Sequence, residues 1–507
     1  MLMLLGWRLV WFLGLADHAL SWPYELDYGE GIVWQQAKTL FSSAAYGPID
    51  GFPSIVFHYT PLYHGAAVAA SDVFGVDLLY AGRAISIASL LVSALAIGAL
   101  AMRASASGRV AAAIAGLGGG LIVFTLYPAV YWAPMMRVDM VAFALCLTGF
   151  WFGVRAVERP VLIHAAAVCF VAAIFAKQTS IAAPAALFLL LAGLRSRLAL
   201  TLFASCVALG LIALGGMQWA TGGGFFRHVF LYNINRFEPA RLWQIVSALS
   251  LHGPIFVVAL IMTAWRLASL AAIYRKLPKG AILDNRADFT FVAVLVYAGI
   301  ATLGTLMIAK SGSNVNYLIE WLFVVAVLAG VGLGDAARLA LGEADDAPKD
   351  VRLMLGVIGV PLALAAQAWL IKPERFDVYW NKSRVPQLEA LSARVKATDK
   401  PIISDDMVML LRSGKDVVWE PAIFAELASK GVWDEAPFVE RVRRCEFAMF
   451  ITVGKRGQRL FDSRYNPAVA DAMDAAYPIK ESAAGYTLHL PKSGSAPSCA
   501  GNPSKPT

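Results

Sequence analysis

Trp22-Pro-Tyr-Glu-Leu-Asp-Tyr-Gly-Glu-Gly31 stands directly after an apolar run over residues 2–20, and the reading of this junction decides the fold. About 20 consecutive apolar residues suffice to cross a bilayer, so an acidic, glycine-flanked stretch just behind such a run sits at a membrane surface. The run is read as a retained anchor, because Asp17 and His18 follow it where a signal peptide would have a small-residue cleavage site. Similar runs recur over 79–102, 110–131, 138–157, 161–176, 179–194, 198–219, 246–270, 289–309, 316–341 and 351–371, making eleven spans, with an extra short helix weighed for Pro61 to Asp72.

The whole composition agrees. Of 507 residues, 58 % are hydrophobic and only 15 % charged, with a mean hydropathy of +0.62. An ordinary soluble chain carries roughly 25 % charged residues, so a soluble enzyme is excluded. The net charge of +8 suggests a nucleic-acid partner only until it is located. With the N-terminus inside, Arg103, Arg109, Arg155, Arg159, Arg195, Arg197, Arg266, Arg275, Lys276, Lys279, Arg286, Arg338, Lys349 and Arg352 collect on the cytoplasmic side, as short loops require. The opposite loop, Ser21 to Asp77, holds Glu25, Asp27, Glu30, Asp50, Asp72 and Asp77 against the single base Lys38. The basic excess is an orientation signal, and no nucleic-acid partner is expected.

From Lys372 onward no stretch is long enough to span, and an odd number of spans puts this tail outside, on the side of the acidic loop. Short β-type runs (Pro401–Ser404, Asp416–Trp419, Phe447–Thr452, Tyr486–Leu490) alternate with helical ones (Ile423–Lys430, Phe438–Arg444, Pro467–Ala476), the pattern of a small α/β domain. The expected organisation is a mostly α polytopic transmembrane bundle over 1–372, an extracytoplasmic α/β domain over 373–495, and a disordered Ser/Pro/Gly-rich tail over 496–507. Cys146, Cys169 and Cys206 lie in apolar runs and read as small hydrophobes, while Cys445 and Cys499 can pair if their compartment is oxidising.

Candidate chemistry lies at the outer ends of the spans. Asp27 and Glu30 are flanked by Gly29 and Gly31, which permit a tight turn, and the sequence turns helical from Ile32, so Glu30 can also serve as a helix-dipole partner. Phe57-His-Tyr-Thr-Pro-Leu-Tyr-His64 offers His58, Tyr59 and Tyr63 as substrate contacts or as an interfacial aromatic belt, and its histidine spacing is not that of a helical metal site. Arg137-Val-Asp139 opens the fourth span, Lys177-Gln178-Thr179 interrupts a hydrophobic stretch, and Asn314, Asn316 and Glu320 follow Lys310 between the ninth and tenth spans. Ionisable groups at membrane depth face a cavity or a partner, and a cation such as Lys177 suits an anionic headgroup or snorkels to the interface. Between Thr221 and Trp243, Arg227 and Arg236 stand among aromatics in an amphipathic segment and suit a lipid phosphate or the bilayer surface. Acids and cations converging on one outer face suit a phosphate ester on a membrane lipid, with a carboxylate as general base and a cation or metal on the leaving phosphate.

The order of these motifs resembles the C-type (GT-C) integral membrane glycosyltransferase superfamily, in its bacterial branch related to protein O-mannosyltransferases and the lipid A aminoarabinose transferase. The resemblance covers residues 1 to about 370 and rests on Asp27-Tyr-Gly-Glu30 running into a helix with Ala37, on Pro61-Leu-Tyr63, on Arg137-Val-Asp139 and on Ala176-Lys177-Gln178. It implies an inverting transfer of a sugar from a polyprenyl-phosphate donor to an acceptor glycan, lipid or protein, on the extracytoplasmic face of a bacterial inner membrane. It implies catalytic roles for Asp27, Glu30 and Asp139, and a donor-phosphate role for Lys177; Arg137, Arg227 and Arg236 are the further cations considered for that phosphate. Relatives commonly carry adjacent Asp-Glu in the first loop, whereas aligning Glu30 through Ala37 puts Gly29 at the Asp position, so Asp27 and Glu30 compete for the role of base. A divalent cation, Mg or Mn, on Asp27 and Glu30 is an open expectation. The tail, with Ile403-Ser-Asp-Asp406 and Gly431-Val-Trp-Asp434, looks like the outer domain many such proteins append. The competing readings are a lipid-linked glycan ligase or polymerase of the same architecture, a lipid or sugar transporter or flippase, and a non-catalytic scaffold displaying the tail.

Overall fold

A computed structural model describes residues 1–105, 108–343, 350, 352–370 and 382–492. The chain forms two compact units. One comprises Met1–Leu20, Gly82–Gly215 and Arg236–Arg375; the other comprises Ser21–Ala81, Gly216–Asn235 and Phe376–Thr507. Composition places a boundary near residue 372, but packing groups the first outer loop with the C-terminal segment.

The first unit is helical and apolar. Six helices among the described residues are long and apolar enough to cross a membrane, namely Leu78–Ala104, Ser196–Ala220, Gly253–Tyr274, Arg286–Ala309, Val315–Ala340 and Leu353–Leu370. Shorter apolar helices occupy Arg109–Thr125, Leu162–Ala176 and Ala182–Leu194, and helices Leu2–Ser21 and Asp139–Arg155 follow the remaining expected runs. The protein is therefore a multi-pass membrane protein. Val315–Ala340 is the central helix, with 89 % of its apolar window buried. A Cβ on its Gly330 would meet the Gly119 Cα at 2.7 Å, so small residues let two backbones approach where lipid supplies no hydrophobic drive. At one end Arg266 bonds Asp288 at 3.1 Å and lies 3.8 Å from Asp335, tying three helices through a buried ion network.

The second unit is built on a four-stranded sheet of order β1-β2-β4-β3, with β1 Ile403–Ser404, β2 Phe450–Thr452, β3 Ile479–Ala483 and β4 Tyr486–Leu490. β1 and β2 are parallel, and the other pairings are antiparallel. The helices Pro421–Ser429, Ala436–Arg443 and Pro467–Ala476 form where their periodicity predicts them. Asp416–Trp419 is not a strand. This extended segment binds the first outer loop instead: Val417 N donates to the Gln35 side-chain oxygen at 3.1 Å, and Ser54 N donates to the Val418 carbonyl at 2.9 Å. β3 escapes the hydrophobic pattern because Ile-Lys-Glu-Ser-Ala is exposed along nearly its whole length. The core of this unit joins Ile49 and Val56 of the first loop to Trp419, Phe424, Phe438 and Phe450. The weighed short helix exists as Leu62–Phe74. Cys146, Cys169 and Cys206 are free, Cys445 is disulfide-bonded, and Cys499 and the expected disordered tail lie outside the described residues.

Candidate functional site

In the second unit, residues 25–31 form a turn wrapped around two carboxyl groups. Gly29 has φ 99°, a left-handed conformation that only glycine adopts without strain, and it opens the helix Glu30–Thr39. The Glu25 Oε1 accepts from Gly29 N at 3.0 Å and from Gly31 N at 3.4 Å, while Glu30 Oε2 accepts from Leu26 N at 2.7 Å. Glu30 is fully buried, at 0 % exposure, and Asp27 on the same turn is half-buried. The two acids that compete for the role of base thus have opposite access to solvent.

The turn is held from three sides by the C-terminal segment. A Cβ on Gly31 would lie 2.4 Å from the Met407 Cβ and 2.5 Å from Val408 N, so the helix Met407–Arg412 packs directly on this glycine. Arg464 stacks over the Tyr28 ring at 3.8 Å and pairs with Asp405 at 3.0 Å, and Tyr28 Oη donates to Glu420 at 3.3 Å. Asp406 caps the 407–412 helix by accepting from Met409 N at 2.9 Å and accepts from Tyr486 Oη at 2.8 Å. Burial first, then the Asp406 and Glu30 carboxylates, push the Glu25 carboxyl well above the usual carboxylate range. Burial likewise raises Asp406, against the bonds from Met409 and Tyr486 that favour its charged form. Asp405, Asp406, Glu420, Arg464 and Tyr486 are missed by motif reading because they lie hundreds of residues from the turn. The one available signal is the Asp405-Asp406 pair closing a strand.

The raised Glu25 pKa has a sign. A carboxyl whose folded pKa exceeds its unfolded value stabilises fully below about pH 4.3 and loses that contribution as pH rises through the folded value. The melting temperature of the purified protein should therefore fall as pH is raised from that point, and Glu25→Gln should flatten the slope. An unchanged slope in the variant would contradict the assignment.

In the first unit, Asp139 begins the helix Asp139–Arg155 and is 1 % exposed. Its Oδ1 pairs with Lys177 Nζ at 2.5 Å and accepts from Asn316 Nδ2 at 2.8 Å, and its Oδ2 accepts from Trp132 Nε1 at 2.8 Å. Lys177 follows the helix Leu162–Ala176 in extended conformation and lies 4.5 Å from the Tyr317 ring centre; Arg137 lies 5.1 Å from that of Trp132. The Asn316 Oδ1 is buried with no hydrogen-bond partner among the described residues. Tyr297 Oη donates to Glu320 Oε1 at 2.7 Å. Of the expected residues in this bundle, Lys177 and Asn316 are in direct contact with the Asp139 carboxylate and Arg137 stacks on its third partner, Trp132. A polar cluster in an apolar bundle is costly to bury and suits a functional centre.

The other expected residues are placed as follows. Tyr63 is buried, and His58 and Tyr59 are half-buried with rings 4.2 Å apart. Gln178 is half-buried beside Lys177, and Asn314 is exposed, with its side chain accepting from Val315 N at 2.7 Å. Arg227 and Arg236 are both exposed, one in each unit. The segment between them also carries His228, which accepts from Phe57 N at 2.9 Å and bonds the Gly47 carbonyl at 2.6 Å, a structural clamp on the first loop. Among the described residues no group of three or more His, Cys, Asp or Glu side chains is arranged to hold a metal ion, and buried Glu30 already accepts from Leu26 N.

No family model and no curated protein matches the sequence. Solved structures do match in fold. ArnT from Cupriavidus metallidurans in the apo state superposes with a TM-score of 0.61 at 13 % identity, covering 96 % of this chain and 97 % of that one. The same protein bound to undecaprenyl phosphate gives 0.57 at 14 % identity, covering 98 % and 99 %. The archaeal oligosaccharyltransferase AglB from Archaeoglobus fulgidus, in complex with an inhibitory peptide and a dolichol-phosphate, gives 0.49 at 12 % identity, covering 88 % and 69 %. The likeness to ArnT runs the length of both chains, and this protein has the ArnT fold.

Proposed function

We propose that the protein is a glycosyltransferase that moves a sugar from a polyprenyl-phosphate donor to an acceptor hydroxyl. The observation that supports it best is an accessible carboxylate, Asp27, on a turn held by hydrogen bonds to two further carboxyls. That turn belongs to a chain sharing its whole fold with a protein solved with undecaprenyl phosphate bound. A group that must touch substrate needs access, so Asp27 is the base and buried Glu30 its support. Asp27 takes the proton of the acceptor hydroxyl as that oxygen attacks the anomeric carbon; the sugar–phosphate C–O bond breaks and the polyprenyl phosphate leaves with the bonding pair. Attack opposite the leaving group inverts the configuration. Lys177 and Arg137 are the proposed cations for the phosphate, with Arg227 and Arg236 as lipid-surface contacts. His58, Tyr59, Tyr63, Gln178, Asn314, Asn316 and Glu320 are the proposed sugar and acceptor contacts. The loop charges support an extracytoplasmic first loop and a cytoplasmic N-terminus; a bacterial inner membrane is what the family resemblance implies.

Purified protein in liposomes with a polyprenyl-phosphate sugar should release polyprenyl phosphate and place a single sugar on the acceptor. Uptake of the donor with its sugar–phosphate bond intact would overturn the reading in favour of a transporter. Transfer of a whole glycan would replace it with a ligase.

A further inference from the structure

We propose that the apolar crevice between the helices Ala182–Leu194 and Ser196–Ala220 binds an anionic diacyl phospholipid, with an acyl chain in the crevice and the headgroup phosphate on Arg195 and Arg197. The inference is independent of the glycosyl-transfer reading. Phe188 and Ala192 line the crevice from one helix, and Ser196, Ala199, Leu200 and Phe203 line it from the other. Small side chains leave the gap, and the rings of Phe188 and Phe203, 5.8 Å between centres, close its inner end. The volume of about 210 Å³ is below the ~300–1,000 Å³ of a pocket for a whole small molecule and suits one segment of a chain. Ser196 and Phe203 lie seven positions apart, so the crevice descends about 10 Å from the turn, within the roughly 15 Å of hydrocarbon that one leaflet supplies. Leu200 and Phe203 are 66 % and 54 % exposed, so the crevice is open to a lipid from the side. What makes it selective is the turn at its mouth. Arg195, Ser196 and Arg197 are all exposed there, and Ser196, which lines the crevice, stands between the two arginines. Arg195 also donates to the Val157 carbonyl at 3.3 Å, which brings Arg155 and exposed Arg159 to the same end of the bundle. Glu158, the acid of that neighbouring turn, is already paired with Arg103 at 2.5 Å. A basic surface at the mouth of an apolar gap between membrane helices is complementary to an anionic headgroup and its chain. The site is separate from the Asp139–Lys177 cluster. Lys177 precedes the 13-residue helix Ala182–Leu194 and Arg195 follows it, about 20 Å farther along.

Native mass spectrometry of the full-length protein in detergent, titrated with lipid, provides the test. Phosphatidylglycerol should bind about 30-fold more tightly than phosphatidylcholine of the same chains, the effect of two basic groups on one anionic headgroup. That preference should shrink at high salt. Replacing both arginines, Arg195→Gln with Arg197→Gln, should abolish the preference and leave phosphatidylcholine binding near its wild-type value. Ala192→Phe fills the crevice from an exposed position and should weaken both lipids alike, by at least about fourfold, the contribution of one buried CH₂. A phosphatidylglycerol with a photoreactive acyl chain should label peptides containing Phe188 or Phe203 in the wild type, a readout that stands even where a variant fails to fold. Equal affinity for the two lipids, labelling confined to other helices, or an intact preference in the double arginine variant overturns the site. Wild-type affinity in Ala192→Phe, or inorganic phosphate competing as well as the whole lipid does, overturns the role of the crevice. Displacement of phosphatidylglycerol from the labelled position by a lower concentration of polyprenyl phosphate overturns the proposed occupant.

Discussion

Asp27→Asn should reduce sugar transfer by about 10²–10⁴-fold, the usual contribution of a general base, while leaving the melting temperature close to that of the wild type. The two halves of this expectation have separate causes. Asparagine keeps the size and hydrogen-bonding reach of the side chain but cannot take a proton at neutral pH. The position is half-buried, so the substitution disturbs packing less than one at fully buried Glu30 does. Glu30→Gln should behave differently, losing stability as well as activity. Glu30 is fully buried and anchors Leu26 N at 2.7 Å, so its effect on the reaction is exerted through the shape of the turn. Steady-state transfer assays paired with thermal unfolding of both variants check the contrast. Unimpaired activity in Asp27→Asn would remove it from the role of base.

Lys177→Met should be the most destabilising single change in the bundle. It leaves Asp139, 1 % exposed and helix-embedded, with Asn316 and Trp132 as donors but no counter-charge. Breaking a buried pair from one side typically costs about 3–5 kcal/mol, because the remaining charge is left uncompensated. Adding Asp139→Asn should recover much of that loss, since removing both charges also removes the desolvation penalty. The double variant then separates two roles that the single one confounds. If Lys177 also holds the donor phosphate, the restored protein stays inactive or shows a greatly raised donor KM. Wild-type donor KM in a restored protein would confine Lys177 to pairing with Asp139. Thermal unfolding in detergent and transfer assays on the three proteins decide it.

The bundle is legible in the chain because the bilayer imposes its own length rule. Every apolar run expected to span contains helix, and Asp139 and Lys177 stand out because a charge in such a run needs a reason. The reason itself is not legible. The two residues are 38 positions apart, and only the packed helices bring Lys177 to 2.5 Å from Asp139, where sequence alone assigns the cation to a phosphate. Asp416–Trp419 departs from its expected strand for a similar cause. Its apolar residues fit a strand, but their backbone groups bind Gln35 and Ser54 of a loop hundreds of residues earlier. β3 has no apolar alternation to be found, since it is ordered by its pairing with β4.

The first-loop turn shows the division most sharply. Residues 22–31 by themselves determined that an acidic, glycine-bounded turn follows a membrane anchor, because local conformation and hydropathy depend on neighbours in the chain. They did not determine which acid is accessible. Asp27 and Glu30 are equivalent in composition, and only tertiary packing buries Glu30 completely while leaving Asp27 half-exposed. Nor could they announce that Arg464 and Met407 hold the turn. Burial, ion pairing and close backbone approach are properties of groups adjacent in space, and the chain order of this protein places those groups hundreds of residues apart.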